Sequence, residues 1–439
     1  MSKPAASRSR RHKLKEADLT TAATDTITPH EHPFRWAILG GVWMIYFSFG
    51  LLQATMAPLV PAITRELGIS YTAMGSILGA WPLVYIVVAI PCGAFVDRYG
   101  LRRALFLAAI IMAVSGALRS VSPDYITMFL SVALFGIGGP LISIGAPKAI
   151  ALWFRGPERG LAMGIYITGP ALGVMATLSL TNSVMMPAFG NDWRLVIQIY
   201  TLFVFAAGFA WWVLASNAVS RAVEATTRSV AGMREQVAVF GELLRIPSVN
   251  LVLLMSIGIF FFYHGMASWL PEILRQDGMN PTMAGYFASI PVAVGIVGSL
   301  IVPRLATPER RFVILLVLFL AIGVGCALLF SDAMPSIVAS VIIQGAGRGS
   351  LMTITLLVLM ETRGVGQQHM GAAGGLFFSA AEIGGVLGPL SMGAISDLTG
   401  GFGLALWMLI GISAVLILLL LVHRGAERRA ALAAGEAIS

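Results

Sequence analysis

Twelve long apolar runs restrict what this chain can fold into more than any other feature of its sequence. They lie at about residues 36–58, 71–96, 102–120, 125–153, 160–187, 195–217, 248–270, 283–302, 312–330, 335–360, 371–396 and 402–422. Roughly 18 or more residues with few charges are enough for a helix to cross the hydrocarbon of a bilayer. The runs are continuous rather than alternating in polarity, and a helix satisfies its own backbone hydrogen bonds in lipid. We therefore predict an all-α integral membrane protein with twelve transmembrane helices.

The composition supports this prediction and excludes several other classes. Of the 439 residues, 57% are hydrophobic and 11% are charged, whereas soluble domains carry roughly 25% charged residues. The two cysteines, Cys92 and Cys326, both lie in apolar runs, which excludes a disulfide framework. A soluble enzyme, a coiled coil and a disordered chain are excluded as well.

The positions of the basic residues predict the orientation in the membrane. With both termini cytoplasmic, all but five of the 29 Lys and Arg residues fall on the cytoplasmic side, as is usual for cytoplasmic loops. Arg65, Arg119, Arg194 and Arg275 fall on the outer side, and Arg348 lies inside an apolar run. The net charge of +8 thus indicates topology and contact with membrane lipid rather than binding of nucleic acid. Short loops favour a bacterial inner membrane.

A polar connection near the middle of the chain divides the predicted helices into two groups of six. The predicted segments are a disordered cytoplasmic tail at 1–35, a six-helix bundle at 36–217, a cytoplasmic linker at 218–247, a second six-helix bundle at 248–423 and a cytoplasmic tail at 424–439. The first segment is polar and basic, and the first apolar run begins only near Trp36. It therefore does not fit a cleaved signal peptide.

Glycines recur at matching positions on the two sides of this linker. Gly160, Gly164 and Gly173 recur 211 residues later as Gly371, Gly375 and Gly384, and Gly136 and Gly138 recur 209 residues later as Gly345 and Gly347. Small residues let membrane helices approach closely, so a single match would indicate only packing. Two matches at nearly equal offsets indicate duplicated, pseudo-symmetric halves. Repeated halves around a site near the bilayer midplane are typical of secondary transporters.

Two charged residues break this repeat. Arg348 falls opposite Gly139, and Glu382 falls opposite Ala171. Both lie about a dozen residues from the ends of their runs, or roughly 18 Å along a helix, which places them near the bilayer centre. An ionisable group at that depth is costly and predicts a functional role.

The connection between the second and third runs carries a recognisable signature. It reads GAFVDRYGLRR, with fixed positions at Gly93, Asp97, Arg98, Gly100, Arg102 and Arg103. With this GxxxDRxGxRR pattern, twelve runs and a six-plus-six division, the chain resembles the major facilitator superfamily along essentially its whole length. The resemblance implies that this loop latches the cytoplasmic side, with Asp97 facing the N-terminus of helix 11, where a carboxylate is favoured. The three arginines would meet acidic partners and lipid phosphates, or would only fix the topology.

A narrower resemblance rests on helices 4, 7 and 8. The residues that carry it are Pro147–Phe154, Tyr263-His264, Ser268–Leu274 and Ala284-Gly285. They resemble the cyanate and nitroimidazole transporter group, and the neighbouring anion:cation symporter and oxalate:formate groups share some of them. Gly169-Pro170 is similar to part of the antiporter motif of drug exporters, but helix 11 has a similar Gly388-Pro389, and a Gly-Pro kink for packing is the simpler explanation. Val132 stands where the sugar and multidrug carriers of the superfamily usually have arginine, which counts against those substrates.

In this family, helices 1, 4, 7 and 10 line a central cavity, which implies that Arg348 points into it. A guanidinium binds carboxylate or phosphate through a planar fork and keeps its proton. Arg348 is thus either an anion-binding group or a partner in a structural ion pair with Glu382. Glu382 is in turn either a proton-coupling site or a static counter-ion.

Five further residues are candidate substrate contacts. They are Tyr46 and Gln53 in helix 1, Lys148 in helix 4, and Tyr263 and His264 in helix 7. An unperturbed histidine titrates near neutral pH, so we expect His264 to serve either as a gate or as a packing residue. Lys148 either contacts substrate or extends to the cytoplasmic surface.

Taken together, these features predict a secondary active transporter for a small organic or inorganic anion. It would work by alternating access, with proton coupling or exchange, and as a monomer. The alternative is an exporter of hydrophobic or drug-like compounds. The sequence contains no phosphate-binding GxxxxGK[ST] loop and no HExxH or GxSxG motif, so we expect no ATP hydrolysis, catalytic residues, metal or cofactor.

Overall fold

The computed structural model of the chain describes residues 29–225, 239–362 and 365–433. Within them, twelve helices are long and apolar enough to span a membrane. They are α1 (Arg35–Leu67), α2 (Tyr71–Tyr99), α3 (Leu101–Val121), α4 (Tyr125–Trp153), α5 (Gly156–Ala188), α6 (Trp193–Ala215), α7 (Pro247–Gln276), α8 (Pro281–Leu305), α9 (Arg311–Leu328), α10 (Met334–Glu361), α11 (His369–Thr399) and α12 (Gly403–Arg429). The predicted all-α fold with twelve spans is confirmed. Much of the two predicted tails and of the linker lies outside the described residues.

Helix α1 is longer than its apolar run because it continues past a break. The α-helix ends at Ala54, a 3-10 turn follows at Ala57–Leu59, and a second helical segment covers Val60–Leu67. Pro58 lacks the amide hydrogen that a continuous helix would need, which favours the break at this point. Gly68 then ends the segment with a φ of 61°, a left-handed conformation that glycine adopts without strain.

The two halves of the chain use matching helix contacts. In the first half α1 packs on α5, α2 on α4 and α3 on α6. In the second half α7 packs on α11, α8 on α10 and α9 on α12. Each contact therefore recurs six helices later, as expected of a duplicated bundle.

The repeated glycines make some of these contacts possible. A Cβ atom on Gly173 would lie 2.2 Å from the carbonyl oxygen of Phe47 in α1. A Cβ atom on Gly384, its counterpart, would lie 1.9 Å from the carbonyl oxygen of Ile257 in α7. By contrast, no atoms lie within 4 Å of such a Cβ on Gly160, Gly164 or Gly371. Only part of the glycine repeat is thus explained by helix packing.

The halves are joined on one side of the membrane. We call the side that carries the α6–α7 connection the linker face, and the opposite side the far face. The halves pack mainly through α2 against α11 and α5 against α8. In the part of the chain that the structure describes, every hydrogen bond between them lies at the far face. The far face is therefore closed.

Candidate functional site between the two halves

A central cavity lies between the halves, directly beneath the far-face contacts. Its volume, as the space open to the centres of water-sized molecules, is about 50 Å³, and it is lined by α1, α2, α3, α4, α5, α7, α8 and α10. Its polar lining residues are Gln53, Arg119, Tyr263, His264, Ser268 and Arg348. The rest of the described lining is apolar or aromatic, so the wall carries two arginines and no carboxylate. Such a wall attracts anions more strongly than cations or neutral compounds.

Arg348 reaches the cavity from a tightly packed part of α10. A Cβ atom on the next residue, Gly349, would lie 2.0 Å from the carbonyl oxygen of Gly295 in α8, so the backbones touch here. The guanidinium carbon of Arg348 lies 4.7 Å from the centre of the Tyr263 ring, in a cation–π arrangement. Among the described residues, no ion pair includes Arg348. The charge is therefore free to meet an anion.

Glu382 lies on α11 and faces His264 instead of Arg348. It is only 4% exposed, and its Oε2 atom lies 3.6 Å from Nε2 of His264. A Cβ atom at position 385 would lie 2.5 Å from this same oxygen, so Gly385 leaves the space that the carboxylate needs to reach the imidazole. Of the two alternatives for Arg348, the ion pair with Glu382 is not formed among the described residues in this conformation.

Arg119 is a cavity residue that the sequence analysis did not select. The basic-residue count placed it on the outer side, and the structure buries it to 1% exposure at the cavity wall. Its Nη1 atom donates to the carbonyl oxygen of Leu52 at 3.0 Å, just before the break in α1. Its guanidinium carbon lies 5.1 Å from the centre of the Phe135 ring. The signal that could have identified it is its position within the apolar run 102–120.

The other predicted contacts in α1 and α7 divide into two groups. Gln53, Tyr263 and His264 line the cavity. Tyr46 instead stacks on Tyr166 of α5, with ring centres 5.7 Å apart and an angle of 22° between the planes. Tyr46 therefore contributes to the α1–α5 packing rather than to the cavity wall.

Lys148 and Asp97 form an ion pair with each other, away from the cavity. Both belong to the first half of the chain. The resemblance implied that Asp97 faces the start of α11. Among the described residues, however, no ion pair or hydrogen bond joins Asp97 to α11, and its partner is Lys148. The reason is that the halves meet at the far face in this conformation, whereas Asp97 lies at the linker face. A substrate contact for Lys148 does not fit this geometry.

The remaining signature residues shape the α2–α3 turn. Gly100 has a φ of 84°, and a Cβ atom there would lie 1.9 Å from a carboxylate oxygen of Glu224. That carboxylate accepts a hydrogen bond from the amide of Arg102 at 3.2 Å, so it caps the start of α3. The Arg102 guanidinium lies 4.7 Å from the centre of the Trp212 ring. A Cβ atom on Gly93 would lie 3.6 Å from the Ile144 side chain, which is ordinary contact, and Arg98 and Arg103 are exposed.

The far-face closure contains polar residues that the sequence analysis did not select. Tyr71 donates its hydroxyl hydrogen to Glu272, a carboxylate that is also held by Arg275 through two hydrogen bonds of 2.7 Å. The amides of Tyr71 and Thr72 donate to Asp397 at 3.0 and 2.6 Å. These contacts fasten α2 to α7 and α11.

A sequence profile of the Major Facilitator Superfamily matches residues 42–366, well over half of the chain. The chain belongs to this superfamily. It is 26% identical over 416 residues to the uncharacterized transporter YycB of Bacillus subtilis, covering 91% of this chain and 96% of the relative. It is 23% identical over 376 residues to the hexuronate transporter of the same species, covering 80% and 85%. It is also 24% identical over 385 residues to the 2-nitroimidazole transporter of Escherichia coli, covering 85% and 91%.

Solved structures share the fold at low sequence identity. The nucleoside transporter NupG superposes with a TM-score of 0.73 and 12% identity, over 88% of this chain and 99% of that one. A bacterial homologue of the human lysosomal transporter Spinster, described as inward-facing and unoccupied, superposes with a TM-score of 0.67 and 16% identity. The match covers 90% of this chain and 96% of that one. With its match to the superfamily profile and its twelve spans, the chain is a multi-pass membrane transporter of the major facilitator type.

Proposed function

We propose that this transporter moves a small organic or inorganic anion by alternating access, with Arg348 as its anion-binding residue. The observation that carries the proposal is a guanidinium in the central cavity that has no carboxylate partner among the described residues. A permanent charge near the bilayer centre is costly unless a ligand or a second charge compensates it. The similarity to a hexuronate transporter supports an acidic substrate, and the similarity to the 2-nitroimidazole transporter supports membership of the narrower cyanate and nitroimidazole group.

Glu382 and His264 are proposed to form the proton-coupling site. The carboxylate and the imidazole face each other at 3.6 Å beside the cavity, and both change charge on binding a proton. His264 also lies 5.3 Å from the Trp81 ring, measured between ring centres, so it connects the pair to the first half of the chain. A proton held by this pair would move with the rearrangement of the halves.

The orientation that follows from the basic residues places the linker face in the cytoplasm. With the far face closed, the structure then corresponds to the inward-facing state. The signature loop would close onto α11 only in the opposite state, in which the linker-face ends of the halves meet.

An exporter of hydrophobic or drug-like compounds is the second candidate, because most of the cavity wall is apolar or aromatic. A quinolone resistance transporter of Acinetobacter baumannii, 24% identical over 398 residues, is consistent with it. The anion transporter and the exporter differ in the role of Arg348. The guanidinium would bind an anionic substrate, whereas it would not strengthen binding of a hydrophobic compound.

The deciding experiment measures the melting temperature of the purified protein in detergent against small anions and against neutral and cationic hydrophobic compounds. Wild type should be stabilised by at least one anion, and Arg348→Gln should lose that shift while keeping its unliganded melting temperature. Arg65→Gln removes an exposed arginine outside the cavity and serves as the matched control. Stabilisation only by hydrophobic compounds, unchanged in Arg348→Gln, would favour the exporter instead.

The coupling proposal is tested with Glu382→Gln in proteoliposomes. The variant should still exchange the anion identified above across the membrane, because exchange needs no net proton movement. It should no longer accumulate that anion when a pH gradient is imposed. Normal accumulation by Glu382→Gln would exclude Glu382 as the coupling site.

A further inference from the structure

We infer that Arg119 is a second anion-binding group in the central cavity, and that the cavity accepts an anion with two separate negatively charged groups. This inference rests on the proposed function and narrows its substrate class. The two arginines come from different halves of the chain, Arg119 from α3 and Arg348 from α10, and both line the same cavity.

The surroundings of Arg119 leave its charge uncompensated. No carboxylate pairs with it among the described residues, and its buried Nε atom has no hydrogen-bond partner. A guanidinium has five N–H donors, and the carbonyl oxygen of Leu52 occupies only one nitrogen. A buried cation in this state is destabilising unless an anion joins it.

Support of the broken α1 does not by itself explain an arginine here. The neighbouring carbonyl oxygen, that of Leu51, meets the same need with two neutral donors, the hydroxyls of Thr55 and Thr177, each at 2.8 Å. A neutral side chain at position 119 could likewise donate to Leu52. The positive charge is therefore in excess of what the helix break requires.

Glu382 does not supply the missing charge. It lies on the opposite half from Arg119, its carboxylate faces His264 at 3.6 Å, and among the described residues no ion pair joins it to either arginine. Each guanidinium is thus available for a carboxylate, which it binds through two parallel hydrogen bonds. A diacid of suitable length would neutralise both arginines and connect the two halves across the cavity.

The test compares linear dicarboxylates from malonate to adipate with their half-amides, in which one carboxylate is replaced by a neutral group of the same size. Binding to purified wild-type protein is measured by calorimetry in detergent. At least one diacid should bind about 10-fold or more tightly than its half-amide, because a hydrogen bond to a charged group is much stronger than one to a neutral group.

Variants at position 119 locate the discrimination. Arg119→Gln keeps a donor for Leu52 and should reduce the ratio of the two affinities to about one, whereas Arg119→Lys should retain most of it. Arg65→Gln should leave the ratio unchanged. Melting temperatures of the unliganded variants show whether each one folds. If Arg119→Gln does not fold, the ratio of diacid to half-amide affinity in wild type still tests the inference.

Three results would overturn the inference. In the first, no diacid binds wild type more tightly than its half-amide. In the second, Arg119→Gln folds and keeps the wild-type ratio. If monoanions still bind in an Arg348-dependent manner in either case, the proposed function stands and only the role of Arg119 is lost. In the third, no anion of any kind binds wild type, and both proposals fail together.

Discussion

The two halves of the molecule share their packing and differ in their charges. Gly173 in α5 and Gly384 in α11 bring their helices against α1 and α7 in the same way. At the positions matching Arg348 and Glu382, however, the first half has Gly139 and Ala171. Close helix approach is a requirement of any such bundle, so it is repeated. A charge in the membrane is placed only where it serves a function, so it is not repeated.

The first half contributes a charge of its own, but from a different helix. Arg119 enters the cavity from α3, near the far-face end, whereas Arg348 enters from the middle of α10. The site is therefore built asymmetrically on a symmetric scaffold. Substitutions of the charged cavity residues and substitutions of the packing glycines can therefore be compared, because each kind should leave the other feature unchanged.

The largest effect is expected at Arg348, where the halves differ most. Arg348→Gln should lower the rate of anion counterflow in proteoliposomes about 100-fold, because losing a hydrogen-bonded charge costs about 1.5–3 kcal/mol or more. Arg348→Lys should retain part of the activity, since it keeps the charge but loses the planar fork. Wild-type counterflow in Arg348→Gln would mean that the charge asymmetry of the halves has no role in transport.

A smaller effect is expected where the halves agree. Gly173→Val and Gly384→Val should each lower the free energy of unfolding by about 1–3 kcal/mol, because the new side chain overlaps a backbone carbonyl in the facing helix. Gly160→Val and Gly371→Val are the matched controls, with open space around the added atoms, and should not lower the melting temperature. Unequal losses for Gly173→Val and Gly384→Val would contradict the equivalence of the two scaffolds.

A smaller effect is expected from removing one far-face hydrogen bond between the halves. Tyr71→Phe removes the hydroxyl that donates to Glu272 but keeps the ring against Trp269, so about 1 kcal/mol of far-face closure is lost. A membrane-impermeant thiol reagent should then reach Ser268→Cys in the cavity wall from the far face about 5-fold faster. The background for this labelling has both native cysteines replaced by serine, and an unchanged rate would show that this contact does not hold the face closed.

The smallest effect is expected at Lys148. Lys148→Gln breaks an exposed ion pair with Asp97 at the linker face, and exposed pairs contribute about 0.2–1 kcal/mol. Affinity for the anion identified with wild type should change less than about 2-fold. A loss of affinity as large as that in Arg348→Gln would indicate that Lys148 contacts the substrate.

The sequence by itself determined the number of helices, their apolar cores and the positions of Arg348 and Glu382 within them. These features follow from the solvent, because lipid requires each span to be apolar and makes each charge conspicuous. The same reasoning selected Gln53, Tyr263 and His264, which line the cavity. It did not select Arg119 as a cavity residue, because a residue near the end of an apolar run can point either to water or inward.

Only the tertiary structure decided which groups meet. Glu382 faces His264, more than a hundred residues earlier in the chain, because Gly385 leaves space in that direction. Lys148 meets Asp97 rather than the cavity because of how α2 and α4 pack together. Such pairings depend on the crossing of helices and on side-chain rotamers, which the local pattern of polarity does not record.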